Sequence, residues 1–96
     1  MNKQFQEMQK KLMKVEEDLK ERVVEGESGG GAVKIGVNGT QEVVYVKLTD
    51  EIAGGGDRAM LEDLIQVAAN QALEKAKKLR EREMAKVTGM ALPGLM

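Results

Sequence analysis

The sequence predicts an α+β fold in the order helix, three-stranded antiparallel meander, long helix (α-β-β-β-α). Three observations carry the prediction. The first 21 residues hold a strict heptad seam, residues 22 to 48 switch to period two, and a 3.6-residue periodicity returns from residue 57.

In the first segment the apolar residues fall at Met1, Phe5, Met8, Leu12, Val15 and Leu19. Spacing that alternates four and three puts them on one narrow stripe, suited to packing against a single partner helix. The Lys, Glu and Gln residues between them are good helix formers. A helix over residues 2–21 follows.

Val23 and Val24 then lead into the turn-like Gly26–Gly31. Val33, Ile35 and Val37 alternate with Lys34 and Gly36, and Asn38-Gly39 is a two-residue hairpin signal that suits the positive φ angles of a type I′ turn. The return run puts Val44, Val46 and Leu48 on one face and Val43, Tyr45 and Lys47 on the other. Strands are expected at about 22–27, 32–38 and 41–48.

Gly54-Gly55-Gly56 interrupts the pattern, and Asp57 is placed to cap the helix that follows. Leu61, Leu64, Ile65, Ala68, Ala72, Ala76 and Leu79 keep to one side of a helix over 57–87. Thr88-Gly89 and then Pro93-Gly94 are its expected end. Residues 1–88 form one domain in this reading, with 89–96 a flexible tail. A helix of that length spans about 45 Å, and strands of five or six residues only about 17–20 Å. Its far half must project, or pack on the first helix or a second subunit.

Composition removes whole classes of chemistry. The chain has no Cys and no His, so thiol nucleophiles, disulfides, Cys/His zinc sites and histidine bases are excluded. Glu62 and Asp63 are adjacent and diverge by about 100° on a helix, so they make no acid/base pair. The Ser28–Lys34 stretch lacks the Gly-Lys-Ser/Thr of a phosphate loop. No enzyme activity, cofactor, metal or small-molecule substrate is expected. With only Phe5 and Tyr45 as aromatics, base stacking is an unsuitable binding mode. No segment looks like a signal peptide or a membrane span, and the expected location is the cytoplasm.

Charge is segregated along the chain although the net formal charge is -1. Residues 1–15 carry four lysines against one glutamate, and residues 75–96 six basic residues against two acidic ones. On a helical wheel Lys75, Lys78, Arg82 and Lys86 share a band about 80° wide beside the apolar side. Glu74 or Glu81 stands at pairing distance from Lys78, and Glu83 from Lys86, whereas Lys75 and Arg82 have no acidic neighbour three or four positions away. Such a band is either a solvated helix face or a grip on a polyanion. If both helices leave the sheet in the same direction, their basic ends form one positive pole.

Residues 60–78 (MLEDLIQVAANQALEKAKK) resemble the signature segment of the YbaB/EbfC family of bacterial nucleoid-associated proteins. The Met/Gln/Lys-rich first helix, the stretch VVEGESGGGAVKIGVNGTQEVVYVKL and the tail GMALPGLM match the family in order over nearly the whole chain. The loop Glu51–Gly56 departs from the family in being glycine-rich. The resemblance implies a homodimer with helices projecting in a tweezer-like arrangement, non-enzymatic binding to duplex DNA with little sequence preference, and a place in the nucleoid. Gene regulation is a further role of some members. Taken with the wheel, it assigns phosphate contacts to Lys75, Lys78, Arg82 and Lys86, and to Lys3, Lys10, Lys11 and Lys14 of the first helix. The competing reading is a structural or adaptor dimer using the Met-rich first helix as an adaptable protein-binding surface.

Overall fold

The computed structural model describes residues 2–91, in the expected order. Helix α1 is Lys3–Glu21, strands β1, β2 and β3 are Val23–Ser28, Val33–Asn38 and Val43–Leu48, α2 is the short helix Asp50–Ala53, and α3 is Arg58–Ala91. The sheet is antiparallel in the order β1-β2-β3. Strand limits differ from expectation by one or two residues, and α2, capped by the Thr49 hydroxyl on the Ile52 N–H, was not foreseen.

α3 lies across one face of the sheet. The core is Val33, Ile35 and Val37 of β2 against Ala68, Ala72 and Ala76 of α3. Small residues on both sides let the backbones approach closely. At Gly26, opposite Ile35 in β1, a methyl group would overlap the backbone of Ala68 and Ala72. The other sheet face is polar. There Tyr45 lies over Gly36, its hydroxyl donating to the Glu25 carboxylate, and the Lys47 ammonium sits 4.6 Å from the ring centroid.

The β1–β2 connection is a 3-10 turn of three glycines with φ of 62°, 65° and 91° at Gly29, Gly30 and Gly31, a left-handed path that side chains disfavour. The β2–β3 hairpin differs from the expected two-residue turn. Residues 39–42 form it, and Gln41 takes the positive φ of 64°. Asn38, only 3% exposed, organises it: its side-chain oxygen accepts from the Thr40 N–H and hydroxyl and the Glu42 N–H, and its amide donates to the Lys20 carbonyl and Glu42 carboxylate. Gly39 is required for contact. A Cβ there would sit 2.7 Å from Leu19 Cδ2, and its N–H donates to the carbonyls of Leu19 and Arg22. The Asn-Gly pair thus anchors the end of α1 to the hairpin. A register shift after Gly36 leaves Val44 as an extra residue in β3, so Val43, expected on the face of Tyr45 and Lys47, instead pairs with Val37 and joins Val46 and Leu48 on the helix-bearing face.

α3 starts at the expected cap, with the Met60 N–H donating to Asp57 at 3.0 Å. It does not stop at Thr88-Gly89. The Thr88 hydroxyl bonds back to the Met84 and Ala85 carbonyls, and one glycine, at about 1 kcal/mol relative to alanine, is too small a penalty to end an otherwise favourable helix. Pro93-Gly94 lies outside the described residues.

Its 34 residues span about 51 Å, and the molecule measures 61 × 24 × 16 Å. Contacts with β1 run from Leu64, whose carbonyl accepts from the Ser28 hydroxyl, to Lys75 beside Glu25. Val87, twelve residues further on, is only 8% exposed, so α1 must cover it. The heptad seam closes progressively toward the sheet: Leu19 is fully buried, Met8, Leu12 and Val15 are half-buried, and Phe5 is 45% exposed. α1 enters the sheet as α3 leaves it, and the two form an antiparallel two-helix arm. The basic N-terminal half of α1 and the basic C-terminal half of α3 therefore lie at the same end of the molecule.

Candidate nucleic-acid interface

The flanks of α3 are identified by what they touch. Gln71 Oε1 accepts from the Glu27 N–H at 2.8 Å, and Lys75 Nζ donates to the Glu25 carbonyl at 2.9 Å. Lys75, Lys78, Arg82 and Lys86 share this flank, which is the β1 side of the arm. β1 is an edge strand, and Gln71 and Lys75 occupy backbone groups that its free edge would otherwise present. Neither contact was legible in the sequence, because both cross more than forty residues.

The four cations differ in freedom. Lys75 is tethered by one of its three donors to β1 and stands at the base of the band. Lys78 is 3.9 Å from Glu74 and its side chain is 71% exposed, so the pair constrains it little. Lys86 lies 2.9 Å from Glu83, which also meets Arg22 at 3.6 Å. Among the described residues Arg82 has no ion-pair partner. Arg80 lies off the band and pairs with Glu16 of α1.

These pairs perturb the carboxylates they hold. The hydrogen bond from Arg80 keeps Glu16 below its ordinary value. The hydrogen bond from Lys86, reinforced by the charges of Arg22 and Arg82, does the same for Glu83. On the far sheet face, the hydrogen bond to Glu25 raises the Tyr45 phenol.

α1 supplies the rest. In an antiparallel pair the helical wheel turns Lys11 to the same side as Arg82 and Lys86, and Glu16–Arg80 closes the opposite side. Lys3, Lys10 and Lys14 fall within about 40° of one another toward the outside of the arm, and Lys78 lies on the other margin. Lys3, Lys10, Lys11 and Lys14 are all exposed and have no ion pair among the described residues. By the helical wheel and the antiparallel pairing, Arg82, Lys86 and Lys11 share one basic flank, with Lys75 at its base and Lys14, Lys78, Lys3 and Lys10 toward its borders. The sequence could not supply this juxtaposition, because it depends on the register of α1 on α3.

The described residues contain no cluster of acidic side chains able to hold a metal ion, and no helix long and apolar enough to cross a membrane. The arrangement provides directed positive charge on rigid helices.

Comparison with known proteins agrees. The chain is 45% identical over 96 residues to a nucleoid-associated protein of Caldanaerobacter subterraneus subsp. tengcongensis, covering 99% of this chain and 86% of the relative. It is 42% identical over 96 residues to a nucleoid-associated protein of Pelotomaculum thermopropionicum, covering 99% and 91%. The crystal structure of an uncharacterized protein from Helicobacter pylori shares the fold, with a TM-score of 0.80, 24% identity and coverage of 88% and 89%. These names describe DNA-binding and nucleoid-associated proteins rather than enzymes. With residues 1–91 matching throughout, the chain belongs to the YbaB/EbfC DNA-binding family.

Proposed function

We propose that this protein is a nucleoid-associated protein that binds duplex DNA through the phosphate backbone, using the basic face of its two-helix arm. What supports the proposal is the packing of α1 along α3, which sets the basic N-terminal half of α1 at the same end as Arg82 and Lys86 on a chain whose net charge is -1. Lys78, Lys3 and Lys10 extend the contact at its borders, and Lys75 contributes from its tether. Cations on long helices meet phosphates without reading bases, so little sequence preference follows. Fluorescence anisotropy of a labelled random duplex, titrated at several salt concentrations, tests this. Saturable binding whose log affinity falls linearly with log salt is expected. Absence of binding at low salt would leave the basic face a solvated surface.

The active unit is a homodimer joined on the β3 side. α3 covers β1 and β2, while Val43, Val46 and Leu48 of β3 remain 57%, 53% and 38% exposed. Val46 and Leu48 pair with Ile35 and Val33, so they lie on the helix-bearing face beside half-buried Ile65, Ala69 and Leu73. Among the described residues the long amphipathic helices are already packed, and this reading assigns the cover to another molecule. A second copy fits, because a two-fold axis lets the same apolar patch cover itself. The β1 edge is closed by Gln71 and Lys75, and β3 is the open edge. Sedimentation velocity checks the assignment: the wild type should sediment as a dimer and Val46→Glu as a folded monomer.

A further inference from the structure

We infer that Glu83 sets the affinity of the arm for DNA: its carboxylate holds Lys86 in the free protein as a phosphate would, and Arg22 takes over that carboxylate when Lys86 turns to the duplex. The inference rests on the DNA-binding reading above and deepens it by naming two positioning residues, Glu83 and Arg22, that act on the basic flank through Lys86.

Among the described residues no other carboxylate has ion pairs with two cations. Glu83 Oε2 accepts from the Lys86 ammonium at 2.9 Å, and Oε1 lies 3.6 Å from a guanidinium nitrogen of Arg22. The charge of Arg82 reaches the same carboxylate. A carboxylate oxygen gives a lysine the same kind of charge-assisted acceptor as a phosphate oxygen, so the pair and the duplex compete for Lys86. The pair is also the least solvated of its kind here. The Glu83 side chain is 20% exposed, against 43% for Glu16 and 57% for Glu74, so water and salt screen it less. Glu16 holds Arg80, which lies off the band, and Glu74 meets Lys78 only at 3.9 Å. Glu83 alone joins a lysine of the band to a cation outside it.

That outside cation makes the exchange favourable. The backbone of Arg22 is fixed where α1 meets the hairpin, its N–H donating to the Leu19 carbonyl and its own carbonyl accepting from the Gly39 N–H. Its side chain remains half exposed and free to close on Glu83. Lys86 sits on a flexible stem and can swing to a phosphate. Without Arg22, the departing lysine would leave an unpaired negative charge facing the duplex. With Arg22 in place the carboxylate stays neutralised, so Arg22 favours binding without touching DNA.

The experiment titrates a labelled random duplex with the full chain at several salt concentrations, followed by anisotropy. Glu83→Gln should bind about two- to fivefold more tightly, the range for release of an exposed ion pair. The gain should shrink as salt rises and screens the pair in the wild type. Glu81→Gln removes an equal charge from a residue with no ion pair among the described residues, and should gain less. Arg22→Gln should weaken binding in the wild-type background and have no effect in the Glu83→Gln background, a non-additivity that a direct phosphate contact would not show. In the wild type itself, the Arg22 side-chain N–H signals in NMR spectra should shift and exchange more slowly once duplex is added. Unchanged or weaker binding by Glu83→Gln, an equal gain from Glu81→Gln, or an unmoved Arg22 signal would overturn the exchange. So would a loss from Arg22→Gln that persists without Glu83. Each of these outcomes leaves the binding reading standing if the wild type binds. Failure of the wild type to bind any duplex would remove both.

Discussion

Arg82 and Lys75 belong to the same basic band, and the structure assigns them different work. Arg82 has no ion-pair partner among the described residues, so its charge is free for a phosphate. Lys75 spends one donor on the Glu25 carbonyl. Removing one phosphate contact to duplex DNA reduces the slope of log affinity against log salt by about 0.9. At 0.1 M salt that corresponds to roughly an eightfold loss of affinity for Arg82→Ala if each duplex meets one basic face. A dimer gripping a single duplex with both faces would lose two contacts, doubling the slope change and multiplying the loss to about sixtyfold. The size of the effect therefore reports how many copies of Arg82 one duplex feels. Lys75→Ala should change the slope less and instead cost stability, about 0.5–1.5 kcal/mol for a lost hydrogen bond, at the lower end because this one is exposed. Anisotropy titrations at four or more salt concentrations, with thermal melts in parallel, separate the two variants. An unchanged slope in Arg82→Ala would refute its contact with phosphate. Equal slope changes in both variants would refute the division of labour.

Gly26→Ala should lower the thermal midpoint strongly, because the new methyl meets the Ala68 and Ala72 backbone; overpacking of this kind costs about 1–3 kcal/mol or more, and each kcal/mol is worth roughly 4–8 °C in a domain this small. Asn38→Ala strips partners from the Thr40 and Glu42 N–H groups and from the Lys20 carbonyl, at about 1–3 kcal/mol for each group left unsatisfied, and hydrogen exchange should report earlier opening at the end of α1. Acid should destabilise the protein in a defined window. Glu16, Glu42 and Glu83 all sit below their ordinary value of 4.5 when folded, so the stability they contribute is complete above about pH 5 and is lost as pH falls through their depressed values. Melting curves between pH 7 and 3 check this, and Glu16→Gln should flatten the acid limb by removing the partner of Arg80.

The elements of the fold were legible because each is a local pattern. The seam from Phe5 to Leu19, the alternation of Val33, Ile35 and Val37, and the Asp57 cap each announce their structure within a few residues. The misreadings arose where a distant contact decides. Asn38-Gly39 has the composition of a tight turn, but Leu19 packs against Gly39 and the loop lengthens to accommodate it. Thr88-Gly89 has the composition of a helix end, yet the helix continues, since one glycine costs only about 1 kcal/mol relative to alanine. The site shows the same division. A wheel drawn from the sequence groups Lys75, Lys78, Arg82 and Lys86, since they share a helix. It does not show that Lys75 reaches β1, or that Lys11 of α1 extends the same face, because those facts depend on how one helix lies upon another.

The net charge of -1 is a poor guide to affinity for a polyanion when the charges are this far apart. From the middle of the acidic segment 57–74 to Arg82 is about 16 residues of helix, or roughly 24 Å. The Debye length at physiological ionic strength is about 8 Å, so the middle of that segment is some three screening lengths from Arg82, while Glu16 and Glu83 of the arm are held by Arg80 and Lys86. A duplex seated on the arm feels the local field of Arg82, Lys86, Lys11 and Lys14 and little of the sheet end. The acidic segment still has a consequence. It makes the sheet end unfavourable for phosphate and so favours duplexes seated on the arms, away from the apolar β3 patch. Near-neutral total charge and DNA binding are therefore compatible.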